Sequence, residues 1–499
     1  MEGVRHNCGF CVTHSLHDAY NFIKSLQNRG REAAGIAAIS QDKIDVIKWV
    51  GRATRFGLET LYELLDGSSP TFLGHVRYAT TGRKEIEQLL QDAHPVAIGG
   101  ERTRRGNHLI IRDARIVGVH NGQVSDQYFE GVDLGKLDTK TDTEKLLKFY
   151  DKVKEGELLK SIPGAYTLAI AEKGRKDVVI MRDRTGIKPG VLGWKDGKFV
   201  ATSEDNALKE NGAEFREELR PGCAYYMSYD GRNCGPIRVI DATPRHCFFE
   251  WNYIAHPAST LNDVQVRTLR RKLGEKLAEE FAAEVDPKEI DYVTFLPRCP
   301  KEAAISFSEI LGRPFLPVFY KEDEERSFQG STMQDRKTSI KRNLQLIDKV
   351  EDKIRGKRVV VIDDSTIRGN NSNRAADLLN KDAIVAKAYL LNYTPEIGII
   401  PEDGIQRGCM FGVDMPPEES ENHKFIARYK SRDQISQEIG MDVRYISSNG
   451  MLEVFEQLGM PRNKLCTFCI GGKHPFEGLE QRIKPSKEEQ IVVLSINNS

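Results

Sequence analysis

Residues 359–369 read Val-Val-Val-Ile-Asp-Asp-Ser-Thr-Ile-Arg-Gly, and they constrain the fold more than any other stretch. A continuous Val/Ile run bounded by charge is the pattern of a central parallel strand buried on both faces. This part of the chain must therefore be α/β. Asp363 and Asp364 fall at the carboxyl end of that strand, the edge where open α/β sheets bind ligands. After them, segment 365–371 offers Ser365, Arg368, Gly369, Asn370, Asn371 and free backbone N–H groups ahead of a helix predicted over 373–379. Acids able to hold a Mg²⁺-bound sugar, followed at once by a phosphate loop, point to a ligand with both ribose and phosphate. The plainer alternative is a buried strand closed by a solvated Asp-Asp turn that caps the next helix.

At 499 residues the chain has room for two or three domains with proper cores. Lys+Arg and Asp+Glu both number 73, so no global field favours nucleic acid or an anionic membrane, and small molecules are the expected partners. No apolar stretch approaches a membrane span, and the first residues lack the apolar core of a signal peptide. A cytoplasmic enzyme is expected. The nine cysteines are odd in number and too dispersed for a disulfide framework, so some are expected to be chemical.

From residue 8 to about 235, short alternating or apolar runs such as 72–78, 116–120, 165–171 and 178–181 are separated by glycine turns. This half is predicted to be mostly β, with helical patches at 18–28 and 143–152. A second regime begins near Val264, where Val266, Leu269, Leu273, Leu277 and Phe281 recur at helical spacing. Strands predicted at 292–296, 315–319, 359–363 and 383–391 then alternate with helices at 302–311 and 373–379, which calls for a doubly wound parallel sheet. Residues 322–345 are charged and poor in apolar side chains, so they read as a flap, and the 480–499 tail reads as peripheral.

Four clusters in the first half carry chemistry: Cys8-Gly-Phe, Gln27-Asn-Arg-Gly-Arg-Glu-Ala-Ala-Gly35, Gly74-His-Val-Arg-Tyr-Ala-Thr-Thr-Gly82, and His120-Asn-Gly122 with Thr141-Asp-Thr-Glu144. In this order they resemble the class II glutaminase domain of the N-terminal-nucleophile amidotransferases, over residues 8–235. The resemblance implies a four-layer α/β/β/α fold. It also implies that a thiolate attacks the glutamine side-chain amide, ammonia leaves, and water clears the thioester. A cysteine that is the first residue needs no histidine base, because its own α-amino group, which ordinarily titrates at about 7.7 to 8.0, can shuttle the proton. By similarity Asn121 and the Gly122 backbone form the oxyanion hole, Arg77 holds the glutamine carboxylate and Asp142 its ammonium. Taken singly, each has an ordinary reading: Arg77 a surface ion pair, Asn121-Gly122 a hairpin turn, Cys8 a buried thiol. Because Cys8 is not the first residue, the resemblance implies loss of residues 1–7, as in members made with a short self-cleaved propeptide. Cys11 is the rival nucleophile, but Cys8-Gly-Phe is nearer the family's Cys-Gly-Ile.

Cys466-Thr-Phe-Cys469 alone could be a redox pair, half a zinc site or chance. Together with the contexts of Cys247 (Cys-Phe-Phe-Glu-Trp-Asn-Tyr) and Cys409 (Gly-Cys-Met-Phe-Gly-Val-Asp-Met), it resembles the cluster-ligand segments of the iron–sulfur amidophosphoribosyltransferase family. Four thiolates can bind a [4Fe-4S] cluster or tetrahedral zinc; the resemblance favours iron, as a structural staple. It further implies that residues 245–475 form a phosphoribosyltransferase-type parallel-sheet domain that binds phosphoribosyl pyrophosphate with Mg²⁺ at Asp363 and Asp364. Ammonia from glutamine would then displace pyrophosphate to give 5-phosphoribosylamine, the first step of purine synthesis. Purine nucleotides are implied as inhibitors and a homo-oligomer as the assembly, with no nucleic-acid or membrane partner.

The second half departs from the family in places. Asn370 and Asn371 replace paired threonines in the phosphate loop, and Pro297-Arg-Cys-Pro300 stands where Pro-Asp-Ser-Gly is usual, putting a thiol in place of a hard oxygen ligand. The flap keeps Arg326-Ser327-Phe328 and a shortened Gln334-Asp-Arg336, with added acids at Glu322 and Glu325. These changes keep two rivals open: an amidotransferase or glutaminase with another acceptor, and a phosphoribosyltransferase-like ligand sensor.

Overall fold

The alternating runs of the first half pair into two antiparallel sheets. The computed structural model describes residues 8–77, 86–321, 344–420 and 424–476. The candidate propeptide 1–7, the Tyr78 to Gly82 part of one cluster, most of the flap with Ser327, Phe328, Gln334 and Arg336, and the 480–499 tail lie outside the described residues. The chain divides into two compact units, one of residues 1–250, 254–263 and 410–414, the other of 251–253, 264–409 and 415–499.

In the first unit a nine-stranded sheet places Gly9–Thr13 between Thr71–Arg77 and Lys198–Thr202. A six-stranded sheet pairs Ile116–Gln123 with Val96–Ile98 on one side and Ala165–Glu172 on the other. Successive strand residues face opposite ways, so Phe10, Val12, Leu73, Val117, Val119 and Ala169 fill the space between the sheets. Cys11, Phe72 and Val76 face outward onto the Leu16–Ser25 helix, while Leu168, Ile170 and Met181 face the Asp142–Ser161 helix. These are the four layers, α/β/β/α, that the sequence resemblance implies.

The second unit is built on four parallel strands in the order Tyr292–Phe295, Arg358–Asp363, Lys387–Asn392, Asp442–Tyr445. The Val-rich strand is interior, as its composition demands. Val359 and Val361 pack with Ala375, Leu379, Ile435 and Ile439 on one face. On the other, Tyr389 meets Phe281 of the Val266–Ala282 helix with ring centroids 5.4 Å apart, and Phe281 meets Phe307 of Lys301–Leu311 at 5.8 Å. Three boundaries differ from expectation. The helix predicted at 373 starts at Asn370, because Gly369 takes a left-handed φ of +77° as its cap. The strand predicted from 383 starts at Lys387, after Ile384 at φ +53° breaks extended backbone. Residues 315–319 give one bridge, Val293 to Phe315, and a short ribbon of Phe319–Lys321 with Leu344–Leu346 in place of a sheet strand. No helix among the described residues is long and apolar enough to cross a membrane.

Candidate active sites

Cys8 is fully buried and leads into the Gly9–Thr13 strand. Its main-chain N–H donates to Asn121 Oδ1 at 3.4 Å, and its carbonyl accepts from Arg29 Nε at 2.8 Å. Asn121 Nδ2 is buried with no hydrogen-bond partner among the described residues, which leaves a donor on the side chain that Cys8 N–H contacts. Gly122 has φ +150°, and a Cβ there would lie 1.9 Å from the Ala165 carbonyl oxygen, so the position takes only glycine. Asn121-Gly122 is thus interior strand and not a hairpin turn.

Gly9 pairs with Val76, so Arg77 stands one residue beyond that pair, level with Cys8. Its guanidinium is fully buried, not a surface ion pair, with Nη2 3.8 Å from Asp92 Oδ2. Burial pushes its pKa down, while Asp92 above all, with Cys8, Glu32 and Asp142, acts in the opposite direction. Arg29 carries a second buried set, with Glu204 at 2.6 Å and Glu250 at 3.0 Å; Lys188 lies 3.3 Å from Glu250. Burial opposes the Arg29 charge, yet Glu250 and Glu204 hold it protonated above the ordinary guanidinium range.

All four residues of Thr141-Asp-Thr-Glu144 are used at the start of one helix. Thr141 caps it, accepting from Glu144 N. Glu144 accepts from the backbone N–H groups of Asp138 and Thr139. Asp142 Oδ2 accepts from Val124 N at 2.7 Å, leaving Oδ1 3.7 Å from His120 Nδ1. Thr143 Oγ1 lies 2.7 Å from His94 Nε2 and 3.0 Å from His120 Nδ1. Sequence reasoning gave no role to Arg29, Asp92, His94 or Thr143; only Arg29 and Thr143 stood inside a recognisable cluster.

In the second unit Asp363 closes its strand and Asp364 follows, both nearly buried. Asp364 N donates to Asp363 Oδ1 at 2.9 Å, Ser365 Oγ to Asp364 Oδ2 at 2.8 Å, and Thr366 Oγ1 to Asn392 Oδ1 at 2.7 Å. Burial, and for Asp363 also the adjacent Asp364 charge, pushes both carboxyls above their ordinary range. Two hard-oxygen acids at a desolvated sheet edge suit Mg²⁺. Asn370 and Asn371 are exposed and lie in the first turn of the helix, not in a preceding loop; Arg368 is half-buried beside them. The Pro297–Arg298 peptide is cis, and Arg298 is exposed. The Cys299 thiol faces the Asn252 carbonyl at 3.3 Å and the Tyr393 hydroxyl at 3.5 Å. Arg270, missed in the sequence, is buried with Nε donating to the Trp251 carbonyl at 2.8 Å, and its charge is felt at Asp364, Cys299 and Tyr393.

Cys247 belongs to the first unit, and Cys409, Cys466 and Cys469 to the second; all are buried and free of disulfides. Within the second unit Gly398 N donates to the Cys469 carbonyl at 2.9 Å. Arg407, two residues before Cys409, reaches the Gly471 carbonyl with Nη2 at 3.3 Å. Thiolate ligands as a class suit a soft metal or an iron–sulfur cluster. Among the described residues, no three His, Cys, Asp or Glu side chains are gathered as a metal site.

A profile for the glutamine amidotransferase domain matches residues 98–210, which include Asn121, Gly122 and Asp142. The chain is 30% identical over 488 residues to the amidophosphoribosyltransferase of Methanocaldococcus jannaschii, covering 92% of this chain and 94% of that one. It belongs to the amidophosphoribosyltransferase family. A second family member, the amidophosphoribosyltransferase of Archaeoglobus fulgidus, is 30% identical over 468 residues with the same coverage of both chains, 92% and 94%. The solved glutamine phosphoribosylpyrophosphate amidotransferase from B. subtilis, complexed with ADP and GMP, superposes with a TM-score of 0.77 at 25% identity, covering 94% of this chain and 98% of that one. Membership thus extends over both units and is not confined to the glutaminase-type half.

Proposed function

We propose that this protein transfers ammonia from glutamine to phosphoribosyl pyrophosphate, giving 5-phosphoribosylamine, glutamate and pyrophosphate, the first step of de novo purine synthesis. The observation that carries this reading is the set of groups around Cys8, in a chain that matches amidophosphoribosyltransferases over more than nine-tenths of its length. Once residues 1–7 are removed, the freed Cys8 amine, oriented by Asn121 Oδ1, takes the thiol proton. The thiolate attacks the glutamine amide carbon. The developing oxyanion accepts from Asn121 Nδ2 and Gly122 N–H, donors fixed in place before reaction. Arg77 pairs with the substrate carboxylate and Asp142 with its ammonium. Ammonia leaves with the proton held by the amine, and water releases glutamate.

On the second unit, Asp363 and Asp364 hold the ribose end of phosphoribosyl pyrophosphate, and Ser365, Arg368, Gly369, Asn370 and Asn371 supply donors for its phosphate. Mg²⁺ held by the two acids would neutralise the departing pyrophosphate. Cys247, Cys409, Cys466 and Cys469 are the thiols we assign to a [4Fe-4S] cluster, supported by their burial and by the all-sulfur donor set. Purine nucleotides act as inhibitors in this reading, and the assembly is a homo-oligomer. The deciding assay is pyrophosphate release from phosphoribosyl pyrophosphate with glutamine or with ammonia, alongside glutamate formation. Glutamate without pyrophosphate would point to another acceptor, and binding with neither product to a sensor. Intact mass of active enzyme tests removal of residues 1–7. Visible absorption with iron and sulfide analysis after anaerobic purification tests the cluster.

A further inference from the structure

Three buried histidines, His75, His94 and His120, cluster behind the glutamine site without any part in the chemistry above. The Thr143 hydroxyl joins two of them, 2.7 Å from His94 Nε2 and 3.0 Å from His120 Nδ1. His75 adds to the cluster by donating from Nε2 to the His120 carbonyl at 3.1 Å while stacking on His94 at 4.3 Å. We propose that Thr143 is a positioning residue for recognition of the substrate α-ammonium. Through one hydroxyl it locks His120 against Asp142, and so fixes the carboxylate oxygen that the ammonium meets.

Proton placement carries the argument. Asp142 Oδ2 is engaged by Val124 N–H, whereas Oδ1 has no hydrogen bond among the described residues and lies 3.7 Å from His120 Nδ1. A bare ring nitrogen facing that carboxylate would be repelled, so the His120 proton sits on Nδ1. His120 therefore donates to Thr143, and the Thr143 hydroxyl in turn donates its one hydrogen bond to His94 Nε2. The positive edge of His120 then backs Asp142 Oδ1 and keeps it turned toward the site. The ring also lies close to Gly122, where an added Cβ would stand 2.8 Å from His120 Nε2. Valine at 143 keeps the shape and takes the shared hydroxyl away from both buried imidazoles.

This inference rests on the reading that Asp142 binds the ammonium, so the test separates the two. Ammonia release is measured from glutamine and from its deamino analogue, glutaramate, for the wild type, Thr143→Val, Thr143→Ser and Asp142→Asn; ammonia-dependent transfer serves as the folding control. Thr143→Val is expected to raise KM for glutamine about tenfold or more with kcat within about threefold, and to change kcat/KM for glutaramate less than about threefold. Thr143→Ser should restore glutamine KM. Equal losses on both substrates in Thr143→Val, or an unchanged glutamine KM, overturn the inference. If Asp142→Asn also affects both substrates alike, the Asp142 reading itself falls; if it discriminates while Thr143→Val does not, only the Thr143 role falls. Should Thr143→Val fail the folding control, Thr143→Ala is read in the same way.

Discussion

Around Cys8 buried charges come in opposed sets, Arg29 with Glu204 and Glu250, Arg77 with Asp92, whereas the Arg358–Asp363 strand ends in two adjacent acids pushed up by burial and by proximity. The first arrangement is complete before substrate arrives. Its hydrogen bonds, glycine contacts and ion pairs leave Asn121 Nδ2 and Asp142 Oδ1 without a hydrogen bond among the described residues, the openings that the proposed reading gives to glutamine. The second arrangement is unfavourable by itself and would be relieved by the cation and polar ligand proposed for it. If the first is the proposed nucleophile site and the second the proposed acceptor site, the two should respond differently to mutation.

The largest expected effect separates the two centres outright. Cys8→Ala should lower glutamine-dependent product formation by about 10⁴-fold or more while leaving ammonia-dependent formation within about twofold. Loss of both would break the division of labour. Next comes Arg29→Met, which leaves Glu204 and Glu250 buried without the cation they share, and should cost about 3 to 5 kcal/mol, read as a lowered urea midpoint. At the acid pair the sign of the stability change reverses. Asp363→Asn should reduce both glutamine- and ammonia-dependent transfer about 10²-fold, yet leave stability unchanged or raise it by up to about 1 kcal/mol, read as an equal or higher urea midpoint, because a buried carboxyl beside a second acid becomes a neutral amide. A large loss of stability would show that the pair is structural.

The site was only partly legible beforehand. Cys8, Arg77, Asn121, Gly122, Asp142 and the Asp363-Asp364 turn stand in local patterns whose residue types suit their chemistry. Thr143 and His94, 49 residues apart, are joined by tertiary packing alone, and no local spacing encodes that. Arg270 reads as one more charge beside the Val266, Leu269, Leu273 stripe, yet the helix turns it inward to 1% exposure. The helix start at Asn370 was missed because it depends on the left-handed turn at Gly369, where a Cβ would meet Ile426 at 2.7 Å. Sequence patterns report which face of an element is apolar; they are weak on which distant polar group answers a given side chain.

A subtler asymmetry lies in proton binding. Burial holds His75 neutral, with its pKa brought down to about 3. The unfolded chain therefore takes up a proton at this position below about pH 6.5 that the folded chain refuses, so stability falls as pH drops from 6.5 toward 3. By pH 5 the loss should be about 2 kcal/mol. His75→Gln should remove that share of the slope between urea midpoints at pH 7 and pH 5, whatever its effect at pH 7.

The smallest expected effect concerns Cys299, which in the sequence looked like a thiol set where magnesium wants oxygen. Its Sγ donates toward the Asn252 carbonyl at 3.3 Å and lies 3.5 Å from Tyr393 Oη, which itself donates to the same carbonyl at 2.9 Å. Burial pushes the thiol pKa up to about 11, so at neutral pH it is a protonated donor, not a thiolate. A donor facing a carbonyl is packing chemistry, and serine can supply it equally well. Cys299→Ser should change kcat/KM for phosphoribosyl pyrophosphate less than about threefold and leave the Mg²⁺ requirement where it was. A marked fall in the Mg²⁺ needed for half-maximal rate would instead bring position 299 within reach of the cation, and the acceptor site would then rest on more than its two acids.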